Sequence, residues 1–445
     1  MRVTLCVVIG AILASAVAGS PEAVQPLSLP QAVDTALRNH GSVLVAGRQV
    51  NQAQSGLTVT RSSYWPQLLG GWQYELSHTT GGSTTVGGVS VATSGTREQH
   101  QSTLTAAYTI FDSGLRKARL DQARASLDSA TSGLDLARVN LSSQVAVDYL
   151  ALVRQQRNVQ LAQEQVDQSK AHLTLVEARI QAGLGANVDR FPLEAELAQA
   201  QLNLVSVQNQ VGQARITLRN TMGLAAGPPL EAEEPPATPD VSGLASLEQA
   251  MAVAGRLRPD LLEAQAAVRL AGGSLEEARV SARPVLSIGS SYTVKAEPAP
   301  WGTGLLVDAA LTFPIFDAGA RRAEATAARD NLDAAQLRLA QLQKDVQAQV
   351  GQARLAITTA WERINAAAVA VNAARQSLDS AEARYKAGLA IPIEITDAQV
   401  AYYNAELSAA AARYDYFTAL ATLRNAVGLP MRDFNDLTVA RVIQP

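Results

Sequence analysis

The sequence predicts a mainly α protein with a β-barrel part, built from one long-helix/β-hairpin unit written twice. Three observations carry this reading. First, Phe111 to Leu224 match Phe316 to Leu429 at a constant offset of 205 residues, and Ser28 to Leu68 match Ser246 to Leu286 at an offset of 218. Self-similarity of this length marks a duplicated half-molecule rather than a solenoid turn. Second, long proline-free intervals rich in Ala, Leu, Gln, Arg and Glu favour helix. Third, two stretches in each copy change to an alternation of period two, the side-chain period of a strand.

Met1-Arg2, an apolar run from Val3 to Val17 and the small residues Ala16-Val17-Ala18 form the n-region, h-region and cleavage site of a secretory signal, residues 1–18. The single cysteine, Cys6, lies inside it. After residue 18 no run of 18 apolar residues occurs, so no transmembrane helix is expected. A formal net charge of −3 gives no footprint for nucleic acid.

The first repeat, 19–224, is expected to hold helices over 28–63, 114–181 and 188–222 with a β-hairpin over 66–111. The second, 246–429, is expected to hold helices over 246–282, 319–386 and 392–427 with a hairpin over 284–316. Leu120, Leu127, Leu134 and Leu141 recur at heptad spacing, as do Ala325, Leu332, Leu339 and Val346, which argues for coiled-coil packing. The longest helices would reach ~100 Å at ~1.5 Å per residue, and the two shorter ones of a copy could lie end to end beside them.

Pro66 and Pro284 end the helical pattern before each hairpin. Trp72, Tyr74 and Leu76 then alternate with Gln73, Glu75 and Ser77, and the other three strands alternate likewise. This is the pattern of a transmembrane β-barrel, with an ordinary half-buried sheet as the alternative. Four strands do not close a barrel and open edges are excluded from lipid, so a membrane sheet would have to be shared by several chains. The Gly/Ser/Thr-rich stretch Thr79 to Thr96 is expected to be the external loop. A proline-rich acidic linker, 225–245, joins the copies, and a tail, 430–445, resembles its start.

With the duplication, the paired Pro-x-Leu entries, the Phe-Asp-x-Gly exits at Phe111 and Phe316, and Arg-x-x-Ala-Gly-Leu at Arg179 and Arg384, the chain resembles the outer-membrane efflux proteins, the TolC-like channel-tunnels of Gram-negative bacteria. The resemblance implies a homotrimer in the outer membrane lipid, whose shared twelve-stranded β-barrel continues as a twelve-helix α-barrel through the periplasm. It also implies a periplasmic adaptor protein and an inner-membrane pump, proton-driven or ABC, as partners. The tip turns would contain Gly183, Leu184, Gly388 and Leu389. By the same resemblance Asp189, Glu394 and Asp397 would line a periplasmic constriction, and Tyr385 would hold it closed against Asp189. Threefold symmetry would make each acid a ring that attracts cations. Some relatives carry a basic residue where this chain has Ala390. The plain alternative is that the acids favour helix N-termini. Trp65, Trp72 and Trp301 would form membrane-interface belts, against a core role.

No catalytic constellation, cofactor motif or metal-ligand motif stands out, and the histidines His40, His78, His100 and His172 are scattered. The expected function is an export channel passing small toxic compounds such as drugs, dyes or metal ions. Type I protein secretion is the alternative within that class, and a secreted coiled-coil stalk or adhesin is the alternative outside it. The hairpins argue against a stalk.

Overall fold

A computed structural model describes residues 26–225, 227–236, 246–296 and 302–434. The expected signal segment, Trp301, residues 237–245 of the linker and 435–445 of the tail lie outside these. Copy one runs α1 (Leu29–Asn39), α2 (Gly41–Ser62), β1 (Gln67–Val86), β2 (Val89–Phe111), α3 (Leu115–Gln181), a 3-10 turn (Asn187–Asp189) and α4 (Arg190–Thr221). Copy two runs α5 (Leu247–Leu257), α6 (Pro259–Val280), β3 (Val285–Ala296), β4 (Gly302–Thr312), α7 (Ala320–Lys386) and α8 (Pro392–Ala426).

The single helices expected over 28–63 and 246–282 are each broken into two. Arg258 is extended (φ −65°, ψ 118°) because the ring of Pro259 disfavours helix in the residue before it. His40 takes the same conformation without a proline, and its Nδ1 accepts the Ser42 N–H at 3.2 Å to cap α2. The helix expected from 188 begins as a 3-10 turn and becomes α only at Arg190.

α3 and α7 are each 67 residues, about 100 Å of helix. α2 packs beside the first part of α3 and α4 beside the rest; α6 and α8 do the same for α7. The short helices meet end to end at a waist, where the α4 end abuts the α1–α2 break and the α8 end abuts the α5–α6 break. The main core lies there: Tyr149, Leu150, Leu152, Val350, Ile357, Tyr416, Phe417 and Leu420, closed by Met431 and Phe434 of the tail. Leu27 pairs with Ala232 of the linker, and the Tyr149 hydroxyl donates to the Leu27 and Glu233 carbonyls at 2.8 and 2.9 Å. The described parts of the linker and tail therefore belong to the waist.

The sheet is antiparallel in the order β1-β2-β3-β4, and β2–β3 pairing joins the two copies. β1 and β2 do not open into a loop over 79–96. They remain paired to Val86↔Val89 and turn at Gly87-Gly88, both with positive φ, the requirement of a two-residue hairpin turn. β3 follows β2 only as far as Ala296↔His100, so the outer half of the first hairpin stands beyond the second. Among the described residues no helix is long and apolar enough to cross a membrane.

Candidate functional site at the helical tip and the sheet face

The long helices start from Phe-Asp-x-Gly. The Asp112 carboxylate accepts the Gly114 and Arg116 N–H groups at 3.2 and 2.7 Å, and Asp317 does the same for Gly319 and Arg321 at 3.0 and 3.3 Å. The aspartate thus satisfies donors that an open helix N-terminus would leave orphaned. Burial pushes the Asp112 carboxyl up, but these bonds and the Arg116 guanidinium at 2.8 Å more than offset it, leaving the group below the usual carboxylate range.

They end on a second code. The Leu184 N–H reaches the Arg179 carbonyl at 2.9 Å around Gly183, and Leu389 reaches Arg384 at 2.8 Å around Gly388. Both glycines have φ of +75°, so each turn is a Schellman cap with glycine in the left-handed position. Leu224 to Arg219 at 3.1 Å and Leu429 to Arg424 at 2.8 Å repeat the arrangement at the waist. Arg-x-x-x-Gly-Leu therefore ends four helices.

At the tip, Leu184 and Leu389 are 70% and 71% exposed, and Val188, Phe191, Ile391 and Ile393 are exposed with them. Behind them Tyr385 is only 6% exposed, packed with Val176, Leu193, Leu378 and Ile395. The Arg179 guanidinium lies over its ring at 4.7 Å and donates to its backbone carbonyl at 2.5 Å. One arginine thus ties the end of α3 to the end of α7. Burial pushes the Tyr385 hydroxyl up, Arg179 opposes that, and Asp189 adds to it. Asp189 is near enough to act on Tyr385 electrostatically, yet its Oδ2 accepts the Ala186 N–H at 3.2 Å, capping its own turn. The expected Tyr385–Asp189 hydrogen bond is not made within the chain. Glu394 pairs with Arg384 at 3.1 Å, and Asp397, one turn further along α8, is exposed. The arginines were visible in the repeated motif, but nothing in sequence spacing showed that Arg179 would cross to the other copy.

In the sheet, the register aligns most of the apolar residues of all four strands, Leu69 and Leu306 excepted. Leu68, Trp72, Tyr74 and Leu76 share a face with Leu104, Ala106 and Tyr108, with Ile288, Tyr292 and Val294, and with Leu305, Val307 and Leu311. Gln73, Glu75, Gln101, Thr103, Thr105, Ser291, Thr293, Lys295 and Asp308 occupy the other face. Trp65 is exposed in the turn before β1, and Trp72 and Tyr74 both contact His100, with ring centroids 6.1 and 4.9 Å away. Among the described residues no group of His, Cys, Asp and Glu could hold a metal ion.

Comparison with known proteins agrees over most of the chain. The profile of the family described as "Outer membrane efflux protein" matches residues 32–224 and 253–429. The pyoverdine export outer membrane protein OpmQ of Pseudomonas putida is 25% identical, over 90% of this chain and 85% of its own. The outer membrane efflux protein BepC of Brucella suis is 22% identical, over 98% of this chain and 92% of its own. The crystal structure of CusC superposes with a TM-score of 0.78 at 18% identity, covering 90% of this chain and 92% of that one.

Proposed function

The chain belongs to the outer membrane efflux protein family, whose members are efflux channels of the outer membrane reaching into the periplasm, and on that premise we propose that it exports small molecules through a trimeric, tip-gated tunnel. The observation that carries this is the sheet register. One face is mainly apolar on all four strands, interrupted by Glu98, His100, Ser102 and Ser290, the other is mainly polar despite Leu69 and Leu306, and β1 and β4 each have an unpaired edge. Unpaired edges are not tolerated in lipid, so three chains closing twelve strands satisfy what one chain leaves open. Trp65 lies seven residues before Trp72 and nine before Tyr74. At ~3.3 Å per residue and a tilt of ~40° these separations come to about 18 and 23 Å, the larger close to the ~25 Å apolar band of such barrels.

At the other end the apolar tip residues Leu184, Val188, Phe191, Leu389, Ile391 and Ile393 suit docking of a periplasmic adaptor and, through it, an inner-membrane pump. Asp189, Glu394 and Asp397 would line the constriction, with Tyr385 holding it. Arg384 already neutralises part of Glu394, so Asp189 and Asp397 are the acids left to bind cations. Export of small toxic compounds is favoured over protein secretion by the pyoverdine-exporting relative. The test is single-channel recording of trimers in planar bilayers. Glu394→Ala with Asp397→Ala should weaken block by multivalent cations, and unchanged block removes these residues from the constriction.

A further inference from the structure

The duplication extends to the strand register. Gln67↔Ala107 of the first hairpin, carried to copy two at the offsets of 218 and 205, becomes Val285↔Thr312, and that pair is the one observed. Glu75↔Gln99 becomes Thr293↔Gly304 in the same way, and is observed too. Two seams join copy to copy in a closed barrel. One is β2–β3, inside the chain, and its equivalent is β4 against β1 of a partner subunit. At the same offsets the β2–β3 pairs pass to this second seam. Leu104↔Tyr292 becomes Ala309 opposite the partner's Tyr74, and Thr103↔Thr293 becomes Asp308 opposite the partner's Glu75. On the apolar face Leu311 then meets the partner's Trp72, and Val307 the partner's Leu76. A slip of one residue would turn every side chain of one strand to the wrong face.

The two seams differ on the polar face. Where the inner one sets Thr103 against Thr293, the outer one sets carboxylate against carboxylate, at the ~4.5–5.5 Å Cβ separation of a directly opposed pair. Like charges so placed oppose pairing. Asp308 already leans from the open edge. A Cβ on Gly289 of β3 would come within 2.7 Å of its Oδ1, so the carboxylate lies back over β3. Gly71, the copy-one equivalent, opposes Thr103 and would meet nothing within 4 Å. Around Glu75, Gln73 and Ser77 flank it on β1 and Gln99 opposes it on β2, with Gln101 and Arg97 each a diagonal step away. Around Asp308, Leu306 and Ala310 flank it on β4 and Gly289 opposes it between Ser287 and Ser291. Lys295 stands further along β3, opposite Gln101, about 20 Å from Gly289 at ~3.3 Å per residue. The near cation, Arg97, is thus on the Glu75 side and favours the ionised form there, which leaves Asp308 to take a proton.

We propose that the barrel seam between subunits is titratable: Asp308 and the partner's Glu75 repel each other on its lumen-facing side, and Asp308 takes up a proton to close the pair. This rests on the channel reading above. Two carboxylates at one site raise the proton affinity of one of them, so the closed trimer binds a proton more readily than separated chains. Assembly is therefore strongest below the ordinary carboxylate range and weakens as pH rises through the raised value. The register is tested first, by oxidative crosslinking. Cys6 is the only cysteine of the sequence and lies in the expected signal, so an introduced pair reports alone. Ala309→Cys with Tyr74→Cys should give covalent trimers, and neither single variant should. Stronger capture of Ala309→Cys by Trp72→Cys or Leu76→Cys overturns the register. Thermal midpoints of trimer dissociation are then compared from pH about 4 to 8, around the carboxylate window. Asp308→Asn should raise the midpoint at the upper end by several degrees and flatten its fall with pH. Glu75→Gln should do the same, and the double variant no more, because each removes one shared repulsion. A wild-type pH profile in both single variants, with the crosslink formed, overturns the titratable pair and leaves the channel standing. A wild-type chain that forms no trimer overturns the reading beneath it.

Discussion

The same six-residue corner, Arg-x-x-x-Gly-Leu, is used at the waist and at the tip, and the two settings ask different things of it. At the waist, a Cβ on Gly223 would come within 2.9 Å of the Asn39 backbone, and one on Gly428 within 2.8 Å of Arg258 Cα. Both glycines are needed there for conformation and for space. At the tip, a Cβ on Gly183 would meet nothing within 4 Å, and one on Gly388 only the end of Arg179 at 3.8 Å. Conformation alone demands glycine at these positions. One local code thus closes two corners against other backbone and leaves two corners in the open, where a partner or a gate can use them. Local sequence sets the turn, while tertiary packing sets what the turn tolerates.

That difference is broken or upheld by four alanine variants. Gly223→Ala and Gly428→Ala should be the most damaging. Each combines ~1–2 kcal/mol for a left-handed non-glycine residue with ~1–3 kcal/mol for forcing a methyl into packed backbone. A lowered thermal midpoint would register this. Gly183→Ala and Gly388→Ala should show the conformational part alone, ~1–2 kcal/mol. Asparagine at these two should recover some of the loss, because it tolerates the left-handed region. Equal losses at waist and tip would mean that the close approach at the waist relaxes freely.

Much of the architecture was legible because its signals are local and repeated. Proline at 66 and 284 ends helices, period-two alternation marks strands, and the constant offset forces each element to occur twice. The breaks at His40 and Arg258 show the limit. Arg258-Pro259 is a readable stop, but His40 has no such mark and is fixed by its own side-chain cap and by the α4 end packed beside it. The Thr79–Thr96 stretch read as loop from its composition, yet Gly87-Gly88 alone makes the turn. At the tip, the spacing of Gly-Leu, Asp189, Glu394 and Asp397 was visible. The crossing of Arg179 to Tyr385 was not, since it depends on how two helix ends 206 residues apart are placed.

The helix starts offer a finer comparison. Asp112 and Asp317 make the same pair of backbone bonds, but Asp112 is buried with a 2.8 Å guanidinium, whereas Asp317 is a third exposed and 3.8 Å from Arg321. Alanine at Asp112 should therefore lose more than alanine at Asp317, on a scale of ~1 kcal/mol for a lost helix cap. The pH dependence follows from the depressed folded value of Asp112. Its contribution is fully present above the ordinary carboxylate range and fades as pH falls through that range to the folded value. Asp112→Asn should flatten that acid limb of the stability curve, measured by thermal midpoints across pH 2 to about 6, the window of carboxylate titration.

The smallest effect is expected at the Arg384–Glu394 pair, which sharpens the contrast between holding the tip together and lining it. Its side chains are 56% and 37% exposed at 3.1 Å, and such surface pairs contribute ~0.2–1 kcal/mol. Glu394→Gln should thus leave the thermal midpoint almost unchanged. Arg179→Lys, by contrast, keeps the charge but loses the planar guanidinium stacked on the Tyr385 ring. It should shift the midpoint further than Glu394→Gln in parallel melts of intact trimers. A Glu394 variant that melts well below the Arg179 variant would show that the exposed pair inside the α7–α8 turn, not the crossing arginine, sets the stability of the tip.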